Sequence, residues 1–524
     1  MTSLTTTLTR RRLMDRTGRL ALAAGIGLAM PFYSRANQRP AFTHGVQSGD
    51  IDTNSGMVWA RADRPSRVHF EISSTERFAE ATQLAPLDAL PDSDFAVKRL
   101  VENLAADQDH FYRMTLVDLA DVNLRSEPII GRFRTAPTDK RDIRFAWSGD
   151  TAGQGWGIDE TGMKTYATIA GRQPDFFLHS GDTVYADGPM KDEVELKGGG
   201  KWINRVLTDE KRKVAETLGE FRGQWKYNLL DRHLLAMNAA LPTFFQWDDH
   251  DVVDNWSDSK DLQNDPRYTE KSVRLLAARA RRAFHEMTPV RFSPPEPGRI
   301  YRRIAYGPLL DLFFLDLRSY RGPNGSNLET GLSDASRVFG RDQAEWLKAA
   351  LARSTATWKV IACDMPLGLI VWDDFLARKG SEAIANGDDG PPAGRELEIA
   401  DLLRFIRDKS VRNVVWLTAD VHYTAAHYYD PNGARFHDFD PFWEFVSGPI
   451  HAGTFGPNEL DMTFGPQVKF VKAPTKEQGV NLPPSAGLQF FGLVDIDGAS
   501  EQMTVRLMDR DDNELWKVTL DPAA

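Results

Sequence analysis

Six short apolar runs between residues 143 and 418 each give way to a cluster of Asp, His, Gly or Asn, and helical spacing fills the gaps between them. The runs cover 143–148, 176–180, 243–247, 310–315, 358–362 and 414–418. Helical periodicity is read over 159–171, 208–239, 267–286, 341–352 and 396–408. Strands alternating with helices predict an α/β core. In such cores ligands gather at the carboxyl ends of the strands. At least five of these strand ends carry acidic residues, more than loop polarity alone predicts.

Taken in order, the strand ends outline a metal-binding set. Ser148-Gly149-Asp150 places a carboxylate directly after a strand, beside glycines that permit close backbone approach. Gly181-Asp182-Thr183-Val184-Tyr185 adds a carboxylate and a phenol three residues apart, and a phenolate is a hard donor suited to a ferric ion. Trp247-Asp248-Asp249-His250-Asp251 is the densest cluster, and its carboxylates repel one another unless cations or solvent compensate. Cys363-Asp364 and Ala419-Asp420-Val421-His422 follow two later strands. On an extended segment Asp420 and His422 would project to one side. Each motif alone also reads as an ordinary polar turn. Together they predict a two- or three-metal constellation, the arrangement suited to in-line displacement at phosphorus.

Composition narrows the chemistry. Cys363 is the single cysteine among 524 residues, which excludes an intrachain disulfide and a thiolate cluster, so any multi-metal site uses mainly O and N ligands. A net charge of −10 argues against a nucleic-acid surface. Residues 1–36 read as a twin-arginine signal peptide: Arg10-Arg11-Arg12 precedes a mild apolar stretch over 20–32 that is too short for a membrane span, and Ser34-Arg35-Ala36 ends in small residues. No apolar run long enough for a transmembrane helix follows. The expectation is a periplasmic or secreted protein handled by the twin-arginine export machinery. Alternating segments at 57–61, 67–72, 110–116 and 129–134 predict a small β-sandwich domain over 41–136, with a linker at 135–139. The catalytic domain is read as 141–500, with 501–524 as a C-terminal β segment.

The motif order resembles the calcineurin-like metallophosphoesterases. Asp182 and Tyr185 match the G-D-x-x-Y form, Asp249 and His250 stand where that family has its ligand Asn and catalytic His, and Asp420 and His422 take the positions of G-H-x-H. More closely, the chain resembles the PhoD-like alkaline phosphatase family. Gly45-Val46-Gln47-Ser48-Gly49-Asp50, Trp247-Asp248-Asp249-His250, Leu315-Asp316-Leu317-Arg318 and Ala419-Asp420-Val421-His422 carry that resemblance over essentially the whole mature chain. It implies an α/β, two-sheet αββα sandwich core preceded by the small β-sandwich. It also implies a phosphoester hydrolase in which a metal-bound hydroxide attacks phosphorus, with Fe³⁺ and Ca²⁺ as the family precedent. Members often carry a Cys ligand after the first strand. Here that stretch is Trp147-Ser148-Gly149-Asp150, so either Asp150 takes its place or the first site is rebuilt. The carboxylate-rich set favours Ca²⁺ over Zn²⁺.

Under this resemblance Asp150, Asp182, Tyr185 and Asp364 would hold the first metal, with Asp182 bridging, and Asp249, Asp420 and His422 would complete the other site. His250 would bind the phosphate or protonate the leaving alkoxide. Arg318 is read either as a bidentate phosphate contact or as a structural ion pair, and Arg395 as a substrate contact from a lid at 387–392. His285, His427, His437 and His451 are read as structural or solvated. The substrates implied are small phosphoesters. The alternatives are a phospholipase D-like diesterase, which no basic interfacial helix supports, a non-catalytic secreted metal-binding protein, and a nuclease, which the charge disfavours.

Overall fold

The computed structural model describes residues 39–374 and 376–523. The predicted signal peptide, residues 1–36, lies outside the described residues. Among the described residues no helix is long and apolar enough to cross a membrane.

Seven strands fall between Phe42 and Arg134 and form a three-stranded and a four-stranded sheet. Val46, Val58, Val68, Phe70, Met114 and Phe133 fill the space between them. The sequence pattern missed Thr82–Ala89 because that strand alternates weakly, carries Pro86 and pairs on one side only. The sandwich is pinned to the rest of the chain by buried polar contacts. Arg302 grips both carboxylate oxygens of Asp50, and Trp59 Nε1 donates to the Glu286 carbonyl at 2.7 Å.

The core is built from two sheets. One has the order Thr243–Gln246, Phe176–Ser180, Ile143–Ser148, Phe490–Ile496, Met503–Asp509, Glu514–Leu520. The other has seven strands, with Leu310–Phe314, Trp358–Ala362, Val414–Thr418 and Phe442–Val446 running parallel at its centre. The inner faces carry Phe145, Phe176, Phe244, Phe314, Val360 and Leu417 in one apolar layer, where Phe176 and Phe244 stack at 4.7 Å. Gln246 crosses that layer and donates to the carbonyls of Leu315 and Ala362 at 3.0 and 2.8 Å. Helices Lys164–Gly171, Leu218–Asn228, Arg232–Ala240 and Val273–Met287 cover one sheet, and Arg341–Arg353 with Glu396–Asp408 cover the other. This is the expected αββα sandwich.

Two details differ from the sequence expectation. The β segment read at 501–524 is continuous with the core, so the boundary drawn at 500 falls within one sheet. Phe490–Ile496 pairs with Ile143–Ser148 on one side and Met503–Asp509 on the other, so the last strands complete the first sheet. The single helix expected over 208–239 is interrupted. Asp231 accepts from the backbone of His233 and Leu234 and starts a new helix there, while Thr217 and Glu220 form a capping box at the start of the preceding one.

Candidate metal centre

The parallel strands of both sheets point their carboxyl ends the same way, so the turns after 148, 180, 246, 362 and 418 converge. The chain bends sharply to aim the side chains. Asp150 (φ 67°), Asp182 (φ 49°), Asp420 (φ 63°) and His422 (φ 61°) all adopt the left-handed conformation in the turns that follow these strands. Asp and His tolerate that region better than most residues, but it still costs on the order of 1 kcal/mol each. Close backbone approach completes the geometry: a Cβ on Gly448 would overlap Asp150 Oδ2, and one on Gly153 would overlap the Tyr185 ring.

The convergence brings Asp150, Asp182 and His422 within 4.8 Å of one another by their ligand atoms, and likewise Asp182, Asp249 and His250, and Asp248, Asp249 and Asp420. Asp182 belongs to two of these sets. Tyr185 joins the first: its hydroxyl donates to His422 Nε2 at 2.9 Å. His422 Nδ1 faces the Gly453 carbonyl, which can only accept, so Nδ1 carries the proton and Nε2 presents a lone pair. Burial holds this imidazole neutral by lowering its pKa to about 4.

The carboxylates are strongly under-satisfied. Both oxygens of Asp150 and Asp364, with Asp182 Oδ2, Asp248 Oδ2 and Asp249 Oδ1, are buried without a hydrogen-bond partner among the described residues. Burial, followed by the charge of Asp248, pushes Asp150, Asp364 and Asp420 well above the usual carboxylate range. Burial raises Asp182 as well, against the opposing charge of His250. Groups placed this way fit bound cations, which would supply the missing partners and the missing charge.

Arg318 is a cation that the chain itself supplies to the cluster. It is buried, and five carboxylates lie within 4 Å of it: Asp248 at 2.6 Å, Asp364 at 3.4 Å, Asp249 at 3.6 Å, Asp420 at 3.8 Å and Glu382. These partners engage it as a structural ion pair, the second of its two expected roles.

His250 sits at the rim, its side chain 19% exposed. Its Nδ1 donates to Asp187 Oδ1 and Oδ2 at 2.9 and 3.0 Å. Asp187 is fixed in turn by the Asp254 amide at 2.7 Å. Burial alone would lower the His250 pKa, but Asp187, Asp249 and Asp182 outweigh it and raise the pKa well above the ordinary value.

Several expectations change. Asp420 and His422 do not project together, because the left-handed backbone at both positions turns them apart. Asp420 joins Asp248 and Asp249, while His422 joins Asp150 and Asp182. Asp364 meets Arg318 rather than the Asp150 group. Arg395 is not a lid residue. It is buried, and its Nη1 and Nη2 are spent on the carbonyls of Ser381, Glu382, Ala383, Gly322 and Pro323 and on Asn324 Oδ1. Three residues absent from the predicted set belong to the site. Asp248 was overshadowed by its neighbour Asp249. Asp187 sits two residues past Tyr185 and could have been read from that motif. Glu382 lies in a loop with no strand-end signal.

The loop at 386–394 is held by a buried carboxyl pair. Glu396 accepts from Asn386 Nδ2 at 2.7 Å, and Asp461 accepts from the Gly387 amide at 2.7 Å. Burial, then Asp461, raises the Glu396 pKa to about 9. The folded state therefore keeps a proton that the unfolded chain releases near its usual carboxylate pKa, so stability falls as pH rises from there to about 9. Glu396→Gln removes that dependence. Melting curves at pH 6 and pH 9.5 should show wild type losing on the order of 2 kcal/mol or more relative to the variant, at about 1.4 kcal/mol per pKa unit. Parallel losses in both proteins would refute this.

The same architecture is seen in known proteins. A family model described as PhoD-like phosphatase matches residues 145–507, and its N-terminal-domain companion matches 27–137. The chain belongs to the PhoD-like phosphatase family. It is 28% identical over 445 residues to alkaline phosphatase D of Bacillus subtilis (strain 168), across 79% of this chain and 71% of that protein. A solved structure of PhoD superposes with a TM-score of 0.66 at 22% identity, covering 92% of this chain and 89% of that one. The purple acid phosphatase PPD1 from yellow lupin (Lupinus luteus) seeds superposes at 0.55 and 12% identity, covering 92% and 74%. These two likenesses concern the fold.

Proposed function

We propose that this PhoD-like phosphatase hydrolyses small phosphomonoesters and phosphodiesters in a metal-dependent reaction outside the cytoplasm. The observation that carries the reading is the set of buried carboxylate oxygens without hydrogen-bond partners, gathered at the carboxyl ends of both sheets beside His250. Asp150, Asp182, His422 and Tyr185 would hold one ion, and Asp248, Asp249, Asp420 and Asp364 the rest. A phenol with an imidazole suits Fe³⁺, and an all-carboxylate set suits Ca²⁺. Ions bound there would polarise a phosphoryl oxygen and activate a water as nucleophile. The chain's own contribution is placement and proton delivery. Asp187 fixes the His250 ring through Nδ1, which leaves Nε2–H to protonate the departing alkoxide. The twin-arginine segment supports export, and the net charge of −10 disfavours nucleic acid as substrate.

The test is turnover of p-nitrophenyl phosphate and bis-p-nitrophenyl phosphate at alkaline pH before and after chelation. Activity should vanish on metal removal and return with added Ca²⁺, with Fe³⁺ if the iron is also stripped. Undiminished turnover in protein shown to be metal-free would overturn the reading.

A further inference from the structure

A cleft of about 500 Å³ opens on the seam between the N-terminal sandwich and the helix Val273–Met287, and it shares no residue with the carboxylate cluster. The end of that helix is tied to the sandwich. Lys98 Nζ donates to the carbonyls of His285 and Val290 at 2.7 and 2.8 Å. The walls are mainly apolar, with Ala96, Val97, Ala278 and Pro297, and Phe292 stands 53% exposed at the rim.

Two cations in this cleft form no ion pair with a carboxylate among the described residues, although the charges of Asp50 and Glu286 act on Lys98. Lys98 meets only carbonyls. Burial lowers its pKa to about 8, which still leaves it charged at neutral pH. Arg281 makes no hydrogen bond or ion pair among the described residues. It lies against Gly298, where a Cβ would stand 3.1 Å from its Cδ and 3.3 Å from Nη1. Its neighbour Arg282 is spent on Glu286 at 2.9 Å, and Glu286 also holds Arg222 at 2.7 Å. The His285 ring adds neutral surface. Burial, then Lys98, lowers its pKa to about 4, and neither ring nitrogen completes a hydrogen bond, although the nearby Gly298 backbone favours the protonated form.

A volume of this size suits one small molecule. An uncompensated guanidinium on an apolar wall selects an oxyanion, which it can grip in bidentate fashion. We propose that this cleft binds a small organic anion, whose apolar body fills the aliphatic and aromatic walls and whose anionic end pairs with Arg281. Because the cleft is lined from both the sandwich and the core, its occupant would touch both.

The probe is 1-naphthoate, titrated calorimetrically into the full chain, with neutral 1-naphthylmethanol as comparison. One saturable site is expected, with the neutral analogue and Arg281→Gln each about tenfold weaker. Ala278→Trp, on the exposed face of the helix, should fill the cleft and abolish binding while leaving turnover of p-nitrophenyl phosphate unchanged. No saturable binding up to about 10 mM would overturn the proposal. So would equal affinity in wild type and Arg281→Gln, or binding that survives Ala278→Trp but is lost in Asp182→Asn, which would place the ligand at the carboxylate cluster. Binding is read independently of turnover, so an inactive enzyme does not decide this test.

Discussion

His250→Ala is expected to lower kcat on an alkyl phosphate, whose alkoxide must be protonated to leave, by about two to four orders of magnitude while metal content stays at the wild-type level, with a smaller loss on p-nitrophenyl phosphate. The imidazole sits at a partly exposed edge of the cluster, and its Nδ1 is committed to Asp187. That leaves Nε2–H as the proton available to a leaving group. Asp187, Asp249 and Asp182 raise the pKa of the ring against the effect of burial, and this favours the protonated acid. A general acid acts only in the transition state, so the loss should appear in kcat and leave KM nearly unchanged. Asp187→Asn should show a smaller loss of the same kind, since it keeps a hydrogen-bond acceptor but removes the charge. An aryl phosphate with a better leaving group needs less protonation and should be less affected by His250→Ala. If His250→Ala stays within about threefold of wild type on the alkyl phosphate with full metal content, His250 is not the acid.

The core was legible because its physics is local. Apolar runs such as 143–148 and 358–362 end where Asp150 and Asp364 begin, and the observed strands Ile143–Ser148 and Trp358–Ala362 coincide with them. Side-chain direction was not legible. Alternation along an extended chain places residues i and i+2 on one face, but Asp420 and His422 both turn left-handed and serve different groups. Tertiary contacts decided the arginines. Arg318 and Arg395 look alike in the sequence, each a polar residue in a loop-like stretch. One is surrounded by carboxylates and the other by carbonyls. Glu382 shows the same limit: its partners Arg318 and Arg321 lie about sixty residues earlier, and nothing nearby marks it.

Arg318→Met tests how the cluster stays folded before any ion binds. One guanidinium lies within 4 Å of Asp248, Asp249, Asp364, Asp420 and Glu382. Removing one partner of a buried ion pair leaves an uncompensated charge and typically costs about 3–5 kcal/mol. Met fills similar volume, so the loss reports charge and hydrogen bonding more than a cavity. Denaturation in the presence of a chelator should therefore show a drop of that size. Arg318→Lys should recover only part of it, because an ammonium is a point charge and cannot span Asp248 and Glu382 as the planar fork does. Bound cations would replace some of the missing charge, so Ca²⁺ should raise the midpoint of Arg318→Met more than that of wild type. Pairing the substitution with Asp248→Asn removes the carboxylate that Arg318 holds at 2.6 Å, and the double variant should be more stable than Arg318→Met alone. A chelated Arg318→Met protein within about 1 kcal/mol of wild type would mean that these carboxylates hold their own protons and that the guanidinium is not what keeps them together.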